Sequence, residues 1–237
     1  MEENKNIRVM MAMDVYLPDV DGVIQCMHNY CMNLYDKCTL VATVPRHKKA
    51  DDSKLPYKIV RCKSLYIPIL RQYYCLPNAD RKFKKLVKEA EFDIVHVHSP
   101  FNMAKFALKT AKKKGIPCVA TFHSNFRPIF QKVFKIKWLA ELFVKHLGRR
   151  YNKFDKIFVC SDKVAEQARS FGYKGDIIYL PYGTELSKAS SDEIAANVAK
   201  ANEVFNLKED ELVFLYVGRV MKLKRINFTL DALKIVK

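Results

Sequence analysis

Ile94-Val95-His96-Val97-His98-Ser99-Pro100-Phe101, a helical stretch over Asn102–Lys114, then Gly115-Ile116-Pro117 and Val119-Ala120-Thr121-Phe122-His123: this succession decides the fold. Two short, continuous apolar runs flank a helical pattern that stops at Gly115, with Pro117 as a second stop signal. Strands buried on both faces read as such runs, and a helix between two of them supplies a right-handed crossover. The stretch therefore predicts one βαβ unit.

The same rhythm extends outward in both directions. Apolar runs predict strands over 7–13, 38–44, 57–62, 92–98, 117–123, 156–160, 176–180 and 212–217. Between them, 81–90 carries Phe83, Leu86, Val87 and Ala90 on one helical face and lysines on the other. Ser161 is expected to cap a helix over 162–171 that ends at Gly172. The pattern predicts an α/β fold, a Rossmann-like, doubly wound parallel sheet. A boundary is expected after Pro181-Tyr182-Gly183, giving a first domain over 1–185. Residues 186–237 then hold a linker helix (187–206) and the first βα unit of a second domain. One βα unit cannot cover both faces of its sheet, so the second Rossmann-like domain is expected to be incomplete and the chain truncated.

Composition narrows the function. Of 237 residues, 49% are hydrophobic and 12% aromatic, ample for a buried core, so global disorder is excluded. The net charge of +17 favours an anionic partner: nucleic acid, a phosphate-rich ligand or an acidic membrane. No nucleic-acid-binding module leaves its signature, so nucleic acid is not expected. The seven cysteines are scattered without a C-x-x-C pair, which argues for a reducing cytosol and against both a disulfide framework and a zinc site. The charged N-terminus, and an apolar run broken at Asp14, argue against a signal peptide. No run approaches the roughly 18 apolar residues of a spanning helix. A cytoplasmic protein, free or peripheral on the inner face of the cell membrane, is expected.

Ligands of open α/β sheets bind outside the carboxyl ends of the strands. There the loop after the first strand leads to Gly22, which opens a helix where backbone N–H groups favour an anion. The dinucleotide fingerprint and the nucleoside-triphosphate loop are both absent, which disfavours a dehydrogenase. His98 and His123 fall at strand ends, and His96 shares a strand face with His98. No carboxylate or third histidine is spaced to complete a metal set, so no metal is expected. In Val217-Gly218-Arg219-Val220-Met221-Lys222-Leu223-Lys224, an Arg fork and a Lys point charge suit a diphosphate. Across 126–153, Arg127, Lys132, Lys135 and Lys137 lie among aromatics, without a clean apolar stripe. That composition suits an anionic bilayer surface as well as it suits an ordinary crossover helix with a solvated basic face.

Six motifs in register resemble glycosyltransferase family 4 across essentially the whole chain. They are Tyr16-Leu17-Pro18-x-x-Asp21-Gly22-Val23, His96-x-His98-Ser99-Pro100-Phe101, Gly115-Ile116-Pro117-x-Val119-Ala120-Thr121-Phe122-His123, Val159-x-Ser161-Asp162-Lys163-Val164, Leu180-Pro181-x-Gly183 and Gly218-Arg219-x-x-x-x-Lys224. The likeness leans toward members that glycosylate membrane lipids, diacylglycerol glucosyltransferases and phosphatidylinositol mannosyltransferases. It implies a GT-B architecture and a retaining transfer from a UDP- or GDP-linked sugar, with no cofactor and no obligatory metal. The implied acceptor is a membrane lipid such as diacylglycerol, or another saccharide. The resemblance places His123 at the reaction centre, and Gly22, Arg219 and Lys224 on the donor diphosphate. His98 and Ser124 would line the acceptor side. It also puts a pair of donor-contacting glutamates beyond Lys237, so weak or no turnover is expected of this chain. Two other readings stand beside it: a non-catalytic, basic membrane-associating fragment, and a sugar-nucleotide epimerase of the same shape.

Overall fold

The computed structural model describes residues 6–68, 72–183, 187–208, 211–218, 220 and 224–235. The chain forms two units, Met1–Glu185 and Leu186–Lys237. In the first, β1 (Arg8–Ala12), β2 (Thr39–Pro45), β3 (Lys58–Cys62), β6 (Ile94–Val97), β7 (Cys118–Thr121), β8 (Lys156–Val159) and β9 (Ile177–Tyr179) build one sheet. Its order is β3-β2-β1-β6-β7-β8-β9 and every pairing is parallel. The order turns around between β1 and β6, which sets the ligand crevice of a doubly wound sheet at that point.

Both sheet faces are covered. Met10, Ala12, Val95, Val97, Phe122 and Ile157 belong to the core on one side. Val9, Met11, Ile24, Met27, Leu40 and Ala42 belong to the core on the other. Successive residues of β1 thus point to opposite cores, as the period of a strand requires. The covering helices are α1 (Gly22–Leu34), α2 (Arg81–Glu89), α3 (Asn102–Lys114), α4 (Arg127–Phe134), α5 (Lys137–Tyr151) and α6 (Asp162–Ser170). Gly115 ends α3 in the left-handed conformation, φ +65°, its N–H bonded to the Ala111 carbonyl.

Four local features depart from the sequence expectation. Ser161 occupies the cap position of α6, but its side chain makes no cap bond; its carbonyl accepts from the Val164 and Ala165 N–H groups instead. The 126–153 stretch is two helices, broken where Lys135 takes φ 55°. Reading one periodicity through that break is what blurred the apolar stripe. An antiparallel pair, β4 (Ser64–Ile67) with β5 (Gln72–Cys75), was not anticipated. Finally, 212–217 forms no strand. The described part of the second unit consists of α7 (Ser191–Phe205), α8 (Ile226–Ile235) and connecting segments. A strand exists only by pairing, and this run belongs to neither sheet.

Candidate active site

The parallel register brings the ends of β6, β7, β8 and β9 to one edge of the sheet, and each is followed by a polar or thiol side chain: His98, His123, Cys160 and Tyr182. His96 and His98, two apart on one strand face, have ring centroids 4.2 Å apart. His96 Nε2 is hydrogen-bonded to Thr121 Oγ1 at 2.8 Å, which ties it to β7. His98 Nδ1 lies 3.0 Å from His123 Nε2, and His123 Nδ1 lies 2.7 Å from the Tyr182 hydroxyl. Both pairs of rings are also stacked. Helix α1 closes one flank: Tyr30 rests against His96 and His98, at 5.8 and 5.6 Å between centroids. Cys26, one helical turn earlier on the same face, is buried beside it.

Burial governs the protonation of this row. It lowers His96 to about 4 and, with His96 close by, His123 to about 3. His98 is held well below the ordinary imidazole value by burial and then by the two neighbouring rings. All three are neutral at pH 7, and a neutral imidazole has one donor and one acceptor nitrogen. The chain of bonds must therefore run in one direction. Whichever direction it takes, His98 Nε2 is left over, buried with no hydrogen-bond partner. Burial also pushes Cys26 and Tyr30 up to about 12, so both are neutral.

A second buried polar knot lies at the crevice between β1 and β6. Asp14, two residues past the end of β1, accepts from Ser99 Oγ at 2.8 Å, Phe101 N at 3.2 Å and Met103 N at 2.8 Å. Ser99 Oγ in turn accepts from Asp14 N. Phe101, at the cap position of α3, cannot cap it, so a carboxylate from another strand satisfies the helix N-terminus. Burial raises Asp14 to about 6 despite these bonds. Sequence reasoning used Asp14 only as a break in an apolar run. Its position at the carboxyl end of the first strand was the available signal.

The remaining candidates divide. At the start of α1, Asp21 Oδ1 accepts from Val23 N and Ile24 N. Gly22 is exposed, and a Cβ there would meet nothing within 4 Å, so packing does not require a glycine. Ser124 is half-buried beside His123. Arg127 is committed within the fold: Nε bonds Glu141 Oε1 at 2.7 Å and the guanidinium lies over Phe171. Lys132, Lys135 and Lys137 are exposed on the α4–α5 pair, alongside exposed Ile129, Val133, Ile136 and Trp138. Lys224 is exposed in the second unit, and Arg219 lies outside the described residues. Among the described residues no helix is long and apolar enough to cross a membrane.

Comparison with known proteins gives the family and the fold. The profile of Glycosyltransferase Family 4 matches residues 22–188. The alpha-monoglucosyldiacylglycerol synthase of Acholeplasma laidlawii is 24% identical over 95% of this chain and 59% of its own length. The enzyme of the same name from Streptococcus pneumoniae is 21% identical over 95% of this chain and 52% of its own. The chain thus spans little more than half of these relatives. Among solved structures, sucrose-phosphate synthase from Thermosynechococcus elongatus superposes with a TM-score of 0.59 at 14% identity, over 92% of this chain and 57% of that one. Anabaena HepE in complex with UDP-glucose gives 0.56 at 13%, over 85% and 50%. At these identities the likeness is one of fold.

Proposed function

The chain belongs to glycosyltransferase family 4, and from that premise we propose that it forms the acceptor-side part of a retaining enzyme that moves a sugar from a UDP- or GDP-linked donor to a membrane lipid of the diacylglycerol class. The observation that carries this reading is the match of nearly the whole chain, 95%, to two lipid glucosyltransferases. Donor chemistry is supported by the likeness in fold to a protein solved with UDP-glucose.

In this reading His123 adjoins the sugar. Its neutral ring carries no charge at pH 7, and a sugar hydroxyl bonds it by replacing one of its two present partners, His98 at Nε2 or Tyr182 at Nδ1. The negative charge that develops on the departing diphosphate then falls to cations, the role given to Arg219 and Lys224, with Gly22 leaving room for the phosphates. Ser124, half-buried beside His123, faces the acceptor, and His98 serves that side from behind by holding the His123 ring. Lys132, Lys135 and Lys137 lie against the anionic bilayer that carries the lipid, whereas Arg127 serves the fold. No cofactor takes part.

Titration of the isotope-labelled chain with UDP- and GDP-sugars tests the site. Shifts at Gly22, His98 and His123, weak in affinity and lost in His123→Ala, are the expected result; saturating donor without any shift at these three refutes it. Sedimentation with anionic vesicles tests the surface. Each of Lys132→Ala, Lys135→Ala and Lys137→Ala should weaken binding about fivefold, at about 1 kcal/mol per charge. Equal binding by the triple variant removes the membrane role from this face.

A further inference from the structure

We propose that Cys26, His98 and His123 form a binding site for a transition-metal ion of the zinc class. The three residues come from α1 and from the ends of β6 and β7, and one ligand atom from each lies within 4.8 Å of the other two. The 3.0 Å between His98 Nδ1 and His123 Nε2 is close to joint ligation: two nitrogens each about 2.0–2.1 Å from a tetrahedral zinc stand about 3.3–3.4 Å apart, so the pair need open by only a few tenths of an ångström.

A second observation points the same way. Buried polar atoms in folded proteins are almost always paired, yet His98 Nε2 is buried and unpartnered. The bond between the His98 and His123 rings holds one proton, which must leave before both of its nitrogens can ligate; His98 Nε2, with no partner to lose, can take it as the tautomer changes. The donor set selects the ion: one sulfur and two nitrogens, without a carboxylate in the cluster, suit zinc, cobalt or copper and not magnesium or calcium. Three protein ligands leave a fourth position for water. On binding, a metal–sulfur bond forms and the thiol proton leaves to solvent. A cavity of about 190 Å³ lined by Cys26, Asn29, Tyr30, Asn33 and Gly183 gives the ion a way to the sulfur.

The spacing of the sequence does not reveal this site, because Cys26 reaches the histidines only through the packing of α1. The ion would not serve transfer. It would occupy the His123 nitrogen that faces His98, so metal and sugar compete. That consequence rests on the function proposed above, whereas the binding itself does not.

Cobalt is the probe, since thiolate ligation gives a charge-transfer band and tetrahedral geometry gives intense visible bands. The 237-residue chain should bind one Co²⁺ with both signatures, and Zn²⁺ should displace it. Cys26→Ala should abolish the charge-transfer band and weaken binding by at least the roughly 100-fold that loss of even an outer-sphere partner can cost. Cys38→Ala and Cys160→Ala should leave the band intact. Circular dichroism of Cys26→Ala verifies its fold, and His123→Gln supplies a second ligand deletion at a half-buried position. Absence of the band in the wild-type chain, or its persistence in Cys26→Ala, overturns the site. Binding as expected without any effect on nucleotide-sugar shifts keeps the metal site and overturns its competition with sugar.

Discussion

Ile94–Val97 and residues 212–217 are alike as sequence and opposite as structure. Both are short apolar runs of the kind expected of buried parallel strands. The first pairs with β1 on one side and β7 on the other, and Val95 and Val97 are buried. The second lies outside both sheets, with Leu212 80%, Leu215 85% and Val217 83% exposed. The difference teaches that an apolar run specifies a capacity to be buried. The strand itself is made by neighbours that accept its N–H groups and cover its faces.

Paired substitutions give the largest expected effect. Ile157→Ala, at a fully buried β8 position, should lower the unfolding free energy by about 2–5 kcal/mol in urea titrations. Leu215→Ala removes a similar side chain from an exposed site and should change it by no more than about 0.5 kcal/mol. A comparable loss from both would mean that the two runs are buried alike and would break the comparison.

Most of the first unit was legible because its signals are local. Gly115 and Pro117 stop α3 where a chain-reading expects, and the lysine face of α2 is written at helical spacing. What was not legible is what distant segments create. Asp14 becomes a helix cap only when β1 and β6 lie side by side, and Cys26 meets the histidines only when α1 docks. The α4–α5 break depends on left-handed backbone at Lys135, a residue type that gives no turn signal. The strands β4 and β5 are as short as β6, β7 and β8, but they carry Ser64, Tyr66, Gln72 and the Tyr73–Tyr74 pair on a mostly half-buried or exposed ribbon and so lack the apolar run that marks a buried strand. His98 and His123 were legible as strand-end residues; their bond to each other, and the one from His123 to Tyr182, were not.

Buried titratable groups sharpen the contrast further, because they belong to the first unit and act in opposite senses. His96 and His123 bind fewer protons folded than unfolded between their lowered values, about 4 and about 3, and the ordinary 6.5. Their burial therefore destabilises the fold as pH falls below 6.5. Asp14 binds more protons folded than unfolded between 3.8 and about 6, so it favours the fold as pH falls through that window. With His98 lowered as well, the histidines outnumber the carboxyl, and stability should fall on acidification from pH 6.5 to 4.5. Asp14→Asn should steepen that fall, since it deletes the opposing contribution. A flat profile in the wild-type chain, by urea titration at several pH values, would show that the row is solvated and not buried.

The smallest effect separates two ways of starting a helix. Helix α7 is capped by its own sequence: Ser190 accepts from Glu193 N while Glu193 accepts from Ser190 N, a reciprocal box. Helix α3 is capped by a carboxylate brought from β1. Ser190→Ala should therefore cost about 1 kcal/mol or less, confined to α7 and read as fraying in amide exchange. Asp14→Ala removes a cap and also leaves the N–H groups of Phe101 and Met103 without a partner in a buried setting, so its cost should exceed that of Ser190→Ala and lower the cooperative unfolding of the whole first unit. If the two cost the same and both act locally, the N-terminus of α3 has access to water, and Asp14 is not the buried joint between β1 and β6 that its three hydrogen bonds describe.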